Sequence, residues 1–551
     1  MPTDSRLCQS PPEGPIPVKL VSNVLMRRGW LALVFLCLGC ASAPIRKSDL
    51  PVLAEADRRV LAGCYDCLLE ARAIYERIGV GRARSPLITR LFEAQILIVL
   101  REIELALDWR PAVEQARALA AELPRASRTA ANDVTTPIDG DRVLALVDLV
   151  PLDDYGSPVA ARLAHRRDRT ERLRRLPEEL AWLDSAPLAP AVRTYLKMAL
   201  DCGYPPGPGQ PRRRADWKPD LPPDAPPLLL YRRAICGVLT VDALTTVRDR
   251  TPGFVETAGF VGRIAVAGIE STGDVLTALE ESRAFYTRFP ESSAATYLYA
   301  TFHQAVGDCP SALRAYDETV ALQPAHERAL VALTVCLSDL NRHDDAIAAA
   351  SRVIALQTAD ARDGYYWRAW NLWMLTRLSD ARADIERAKG LRATMQIATL
   401  AGAIEHDQDD LGPAERDLTA ALAMPGGGSN CEAAWYLGLV YGKRQSWRPS
   451  AQWFDAATGC YLTRQAEGEA AREALEARVV TDAEFKARQL TRLETRIRES
   501  AEQRSAAAYN AARAFILVGN LDRAGQLIEV AALDKSMAAP VDQLRRFLGS
   551  R

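Results

Sequence analysis

Small residues recur through the second half of the chain at Ala278, Ala312, Ala346, Ala381, Ala414, Ser450 and Ala524, separated by 34, 34, 35, 33, 36 and 74 positions. A period near 34 residues marks a supersecondary unit that cannot bury its apolar face alone and has to stack on its neighbours. Between the beats, apolar residues recur at three and four positions, and few runs alternate with period two, so each unit is expected to be a helical hairpin. A chain built this way is all-α and places function on an extended surface rather than in a pocket.

The residues around each beat make the unit more specific. Counting from Ser293, Ala300 falls at the eighth position, Ala312 at the twentieth, Tyr316 at the twenty-fourth and Pro324 at the thirty-second. The preceding unit ends at Pro290, and the following one keeps Leu330, Leu333, Leu337, Ala346 and Val353 in register. A later unit carries Leu437, Gly438, Tyr441, Ser450, Phe454 and Ala457; the last carries Ala508, Ala511, Ala512, Phe515, Gly519, Ala524, Ile528 and Ala531. This pattern resembles the tetratricopeptide repeat (TPR). Small side chains at the eighth and twentieth positions let antiparallel helices approach closely, and Gly307, Asn341 and Gly519 fall at inter-helix turns that require positive φ. Arg368, at a normally apolar position, and Thr358, in place of a proline, depart from the pattern. Between Cys460 and Ser505 a helical stretch starting at Thr481, with Glu484 three residues on, is expected to be one elongated, degenerate repeat that fills the gap of 74.

An α-solenoid over residues 259–538, with seven to eight repeats, is therefore expected behind an irregular helical region at 40–250. In that region Ser48 is expected to cap a helix with Pro51 in its first turn, and Leu61, Cys64, Cys67, Leu68, Ala71, Ile74 and Tyr75 are expected to form one apolar stripe. Leu87–Leu107 and Pro111–Leu123 pair around a turn at Asp108–Arg110. Residues 203–227, dense in Pro and Gly, form a loop, and Pro252 and Gly253 mark the boundary.

At the front, Arg27 and Arg28 precede nine apolar residues, Trp30 to Leu38, followed by Gly39, Cys40, Ala41 and Ser42. That run is too short to span a bilayer and fits a secretory signal peptide over residues 1–39. The stretch ending Leu38, Gly39, Cys40 resembles a bacterial lipobox, which implies lipidation of Cys40, and Ala41 after it implies the outer membrane. The polar segment ahead of it makes Met26 the expected start of translation.

From Cys40 onward the chain keeps 65 basic against 68 acidic residues, so there is no cationic excess to neutralise phosphates and no nucleic-acid partner is expected. Seven arginines between Arg162 and Arg175 are interrupted by Asp168 and Glu171 and are expected to form a solvated helix face. No phosphate loop, paired-histidine zinc motif or nucleophile elbow occurs; His326 and Glu327 begin the zinc motif, but Leu330 stands where its second histidine belongs. No enzyme activity, cofactor or metal is expected. Cys64 and Cys67, on the apolar stripe, are expected to be core packing, whereas Cys431 and Cys460 fall where a hairpin brings two helix ends together and form an expected disulfide.

The resemblance also implies a binding surface. The family's concave-face positions on the first helix of each repeat correspond here to Tyr297, Tyr366, Trp370, Trp373, Trp435 and Tyr509, with Arg263, Arg328 and Arg513 beside them. An aromatic groove of this kind suits an extended peptide or amphipathic helix, because rigid rings give large contact area at low entropic cost. The expected function is a membrane-anchored scaffold of the bacterial envelope with a protein partner. The alternative is a surface lipoprotein that captures glycans or nutrients on the same rings.

Overall fold

The computed structural model describes residues 45–79, 85–123, 137–150, 169–202, 221–222, 224–236, 241–251, 257–272, 275–358, 361–480 and 482–549. Among them the regular structure is helical throughout, with no strand. Among the described residues nine α-helices precede the repeats: α1 (Leu50–Ala62), α2 (Tyr65–Gly79), α3 (Ser85–Glu104), α4 (Arg110–Glu122), α5 (Gly140–Val147), α6 (Arg169–Ser185), α7 (Pro190–Cys202), α8 (Pro227–Cys236) and α9 (Val241–Arg250). Cys40, the rest of the signal segment, residues 203–220, Pro252 and Gly253 lie outside the described residues, as do the side chains of the Arg162–Arg175 segment.

The expected single stripe from Leu61 to Tyr75 is broken in two. Gly63 takes φ +75° and ends α1, and its missing Cβ leaves room for Leu228. Leu61 is left exposed while Leu68, Ala71 and Tyr75 are buried. Pro51 does sit in the first turn of α1, but Ser48 makes no capping bond; its hydroxyl instead meets Asp49. Helix α3 is the core of this region, buried from Phe92 to Arg101. Its charged end is satisfied internally: Glu104 accepts from Tyr195 (2.6 Å) and Arg232 (2.5 Å) and pairs with Arg101, whose guanidinium lies 4.1 Å over the Tyr231 ring. These polar groups converge, as a catalytic centre would need, but Arg101, Glu104 and Arg232 are closed from solvent and bonded to one another. Their effect is to tie α3, α7 and α8 together, since removing one partner of a buried ion pair typically costs about 3–5 kcal/mol.

Among the described residues the repeats are seven hairpins. They are α10 (Thr257–Thr272) with α11 (Val275–Arg288), α12 (Ser293–Ala305) with α13 (Cys309–Leu322), and α14 (Glu327–Asp339) with α15 (His343–Ala355). Then come α16 (Ala361–Met374) with α17 (Leu378–Leu391), α18 (Met395–Asp407) with α19 (Leu411–Ala423), α20 (Cys431–Lys443) with α21 (Trp447–Ala477), and α22 (Ala483–Leu517) with α23 (Leu521–Ala531). A last helix, α24 (Ala538–Gly549), covers the final hairpin through Val541, Leu544 and Leu548. Each hairpin buries its beat: Ala278, Ala312, Ala346, Ala381, Ala414 and Ala524 are all fully enclosed. Ser450 is equally buried and sends its hydroxyl to the Gly438 carbonyl at 2.8 Å. A Cβ on Gly438 would stand 2.7 Å from the Phe454 ring, so the eighth position there tolerates nothing larger than hydrogen. Gly307, Asn341 and Gly519 do take positive φ, as do Thr376, Asp409 and Gln445 at the equivalent turns. Arg368 is accommodated by a two-pronged bond to Asp384 at 2.6 and 2.7 Å.

The interval of 74 is not an extra repeat. Helices α21 and α22 are the second helix of one hairpin and the first helix of the next, prolonged to 31 and 35 residues and packed along one another. Asp482 caps α22 by accepting from the Phe485 amide at 2.9 Å, and Thr481 lies outside the described residues. At about 1.5 Å per residue, α22 is roughly 50 Å long. Its start reaches back to the first hairpins, where Phe485 is buried against Ala265, Ile269, Val275, Ala278, Phe302 and Val306. Gln489 donates to the Val306 carbonyl at 3.1 Å and Arg492 to the Ala305 carbonyl at 3.2 Å. The row of hairpins is thereby bridged from its last members to its first. At the other end, the Ser292 hydroxyl bonds the Leu105 carbonyl at 2.5 Å, and Phe285, Phe289 and Leu298 pack with Leu105 and Ala106.

Replacing Phe485 by Ala should free the tip of the long pair. Hydrogen exchange of the amides at 482–492 is expected to speed up markedly, while the amides of α16–α19 stay as slow as in the parent. The lost burial is worth about 3–5 kcal/mol at the contact itself.

Candidate functional site

The first helices of successive hairpins touch one another, α10 with α12, α14 with α16, α16 with α18 and α18 with α20. No comparable contact joins successive second helices among the described residues, so the first helices form the inner side of the curve. Helix α16 carries Tyr366, Trp367, Trp370 and Trp373, a spacing that puts all four near one face. Their rings meet edge to face, Tyr366 with Trp367 at 5.2 Å, Trp367 with Trp370 at 6.5 Å and Trp370 with Trp373 at 5.4 Å. The row continues across the repeats: Trp373 lies 6.5 Å from Tyr436 on α20, and Tyr436 lies 5.6 Å from His406 at the end of α18.

These rings are anchored on one side and open on the other. Tyr366, Trp370 and Trp373 rest on a layer of Ala369, Leu372, Ala381, Ile385, Ile397, Leu400 and Ile404, yet each of them remains only partly buried. Burial pushes the Tyr366 hydroxyl up to about 12. Trp373 is oriented by its indole N–H, which donates to Asp407 Oδ2 at 2.8 Å. His406 Nδ1 lies 2.9 Å from the other Asp407 oxygen, and burial lowers the His406 pKa, leaving the ring neutral at pH 7. The stripe is thus a stack of rigid apolar faces with a carboxylate at one edge.

Tyr366, Trp370 and Trp373 come together as one surface. Trp435 does not join them; partly buried, it packs edge to face on Phe454 at 5.3 Å, against the clusters shared by α20, α21 and α22. The neighbouring Tyr436, partly buried like Trp435, is the residue whose ring meets Trp373. Tyr297 is on α12, 4.8 Å from the His326 ring and 5.9 Å from Tyr316, in the layer between two hairpins. Tyr509 is on α22, packed with the last hairpin and covered by Arg513, whose guanidinium is 5.9 Å from the ring. Arg263 lies over Phe260 on α10 and Arg328 in the first turn of α14, so the three cations are spread over three helices rather than gathered beside the tryptophans. Trp367, Tyr436 and the Asp407 carboxylate were not legible as site residues. The i, i+1, i+4, i+7 run of rings on α16 was the available signal for Trp367.

The structure joins Cys431 to Cys460, their Cα atoms 5.4 Å apart, across the hairpin that presents Tyr436. Cys64 and Cys67 are also bonded to each other, against the expectation of simple core packing. The break at Gly63 turns Cys64 out of the helix and back over the first turn of α2, where its sulfur accepts from the Cys67 amide at 3.1 Å. One trio of carboxylates among the described residues stands close enough to share a cation: Glu386, Glu405 and Asp417. Lys389 already bonds two of them, Glu386 at 2.9 Å and Asp417 at 2.7 Å. Glu405 is 2% exposed, its Oε2 has no hydrogen-bond partner, and its nearest cation, Arg382, is 3.8 Å away. Burial pushes its carboxyl up to about 7.

No family model and no curated protein sequence matches the chain. Parts of it are similar to solved structures. PilF from Pseudomonas aeruginosa is 15% identical over 36% of this chain and 90% of that one, with a TM-score of 0.33. YrrB, described as a TPR protein with an unusual peptide-binding site, is 13% identical over 42% and 99%, with a TM-score of 0.30. A tetratricopeptide repeat protein from Parabacteroides merdae is 12% identical over 48% and 93%, with a TM-score of 0.32. At such values the likeness concerns the helical-hairpin fold, and no partner or activity is carried over from it.

Glu405 makes a pH prediction with a definite sign. Its folded pKa lies above the usual carboxyl value, so the folded state keeps a proton that the unfolded chain releases between about pH 4.3 and 7, and stability falls as pH rises through that window. Glu405→Gln should therefore be more stable than the parent by about 1–3 kcal/mol at pH 8, with the gain vanishing near pH 4. Urea titrations at the two pH values measure it; an equal difference at both would assign the effect to packing.

Proposed function

We propose that this protein is a lipid-anchored scaffold of the bacterial envelope that holds an extended peptide or amphipathic helix of a protein partner along its aromatic stripe. The observation that carries this reading is the continuous, partly buried row Tyr366, Trp367, Trp370, Trp373 and Tyr436 across three successive hairpins. A monomeric protein gains little from leaving five connected large rings partly against water, and tryptophan and tyrosine dominate the energetics of binding surfaces. The span over several repeats suits an elongated ligand better than a compact one. Lipidation at Cys40 would hold the solenoid near a bilayer, and two disulfides among the described residues support export to an oxidising compartment. A scaffold needs no catalytic chemistry, and the reading asks none of the polar clusters.

Capture of a glycan by ring stacking is the competing outcome, and the same variants separate the two. Crosslinking from positions on α16 in living cells, followed by mass spectrometry, should yield a protein partner. Trp370→Ala combined with Tyr366→Ala should reduce that capture at least tenfold while the far-ultraviolet circular dichroism stays that of the parent. Loss of helicity would assign the rings to the interior. Saturable quenching of tryptophan fluorescence by an oligosaccharide, with no protein crosslink, would replace the scaffold with glycan capture. For the anchor, Cys40→Ser should move the protein from the membrane to the soluble fraction.

A further inference from the structure

Outside the bonded pairs, two more cysteines face each other. Cys309 is the first residue of α13 and Cys336 lies in the third turn of α14, so they sit on opposite sides of the seam between two neighbouring hairpins. Both are buried, and their sulfurs are 2.7 Å apart, well inside the contact distance of two unbonded sulfur atoms. Their electrostatic surroundings differ: the contact with Cys336 and the charge of Arg492 lower the Cys309 pKa, whereas the contact with Cys309 and burial raise that of Cys336. Asp339 Oδ2 is 3.9 Å from the Cys309 sulfur, and Asp308 and Asp339 both oppose negative charge on Cys336. The two cysteines do not have the donors of a metal centre, because the carboxylate trio at Glu386, Glu405 and Asp417 is the only such grouping among the described residues. A neutral pair of thiols can make one weak S–H···S bond, which does not hold two sulfurs this close.

We infer that Cys309 and Cys336 are the site of a further disulfide, which staples the hairpin α12–α13 to the hairpin α14–α15. The co-reactant is a disulfide-bearing oxidant, a protein or small molecule of the compartment in which the chain folds. One cysteine thiolate attacks that disulfide, forms a mixed disulfide and expels the first thiolate of the oxidant. The second cysteine then attacks the bonded sulfur of the first and expels the other. One S–S bond forms here and one breaks in the oxidant, which leaves as a dithiol carrying the two electrons and two protons. Since both sulfurs are enclosed once α13 and α14 are packed, the exchange belongs to the folding stage, before the seam closes.

The position gives the bond a consequence. The seam it crosses is where the long pair α21–α22 lands: Arg492 bonds the Ala305 carbonyl, its side chain fills the space beside Gly307, and its charge acts on both Cys309 and Asp339. Together with Cys431–Cys460, which closes the hairpin α20–α21 at the root of the long pair, the staple fixes both ends of that bridge.

The test uses the full chain, exported to an oxidising compartment, purified without reductant, denatured in N-ethylmaleimide and digested. Mass spectrometry should find the peptide bearing Cys309 linked to the one bearing Cys336, free of maleimide, and separated by reductant. Maleimide on both cysteines, or either one linked elsewhere, overturns the inference; the Cys431 and Cys460 peptides in the same digest report whether the sample met an oxidant. As a second reading, the Cys309→Ser, Cys336→Ser variant should exchange amide hydrogens at 309–340 at least tenfold faster than the parent, and this difference should disappear in reductant. A difference that survives reductant would mean that the thiols matter only as packing, and the staple would be rejected.

Discussion

The structure depends on how closely two antiparallel helices approach where a side chain of one or two heavy atoms replaces a larger one. Ala278, Ala312, Ala346, Ala381, Ala414 and Ala524 are sealed completely, and Gly438 meets the Phe454 ring with no space for a Cβ. That approach sets the hairpin, and the large apolar residues left over on its faces can be covered only by the next hairpin. Curvature follows, because the first helices then meet their neighbours while the second helices spread apart. The aromatic row inherits its geometry from this: rings on α16 and α20 converge across α18 because first helices crowd on the inner side.

A solenoid closed by a strut behaves differently from an open one. In an open array each repeat touches only its neighbours and stability propagates locally. Here the tip of α22 seats Phe485 among residues of the first two hairpins, roughly two hundred positions earlier in the chain, so the terminal repeats are coupled directly. The helical region before the repeats adds a second tie, with Ser292 bonded to the Leu105 carbonyl and the aromatic rings of α11 packed on the end of α3. Such ties restrict the breathing of the superhelix and hold the rings of α16 and α20 in one arrangement.

The errors of sequence reading fall where periodicity carries no information. On α20 the periodicity leaves open which of two adjacent rings meets the aromatic row; neighbours on a helix differ by about 100° in direction, and it is the packing of Trp435 on Phe454 that leaves Tyr436 to meet Trp373. The gap of 74 read as an additional unit because a long helix and a decayed repeat share the same apolar spacing. Cys64 and Cys67 read as part of one helical stripe, and the positive φ at Gly63 that turns them toward each other leaves no mark beyond a glycine.

The sequence alone determined the all-helical class, the length of the unit, the seven small-residue beats, the positive-φ turns at Gly307, Asn341 and Gly519, and the aromatic enrichment of one first helix. These follow from contacts within a single hairpin, whose partners lie between 12 and 29 residues apart and leave a periodic trace. Tertiary structure decided the bridge from α22 to the first hairpins, the continuity of the rings from Trp373 to Tyr436, and the meeting of Cys309 with Cys336. Those depend on the accumulated rotation of hairpin upon hairpin, a small angle per repeat that no residue encodes by itself and that only the assembled stack adds up.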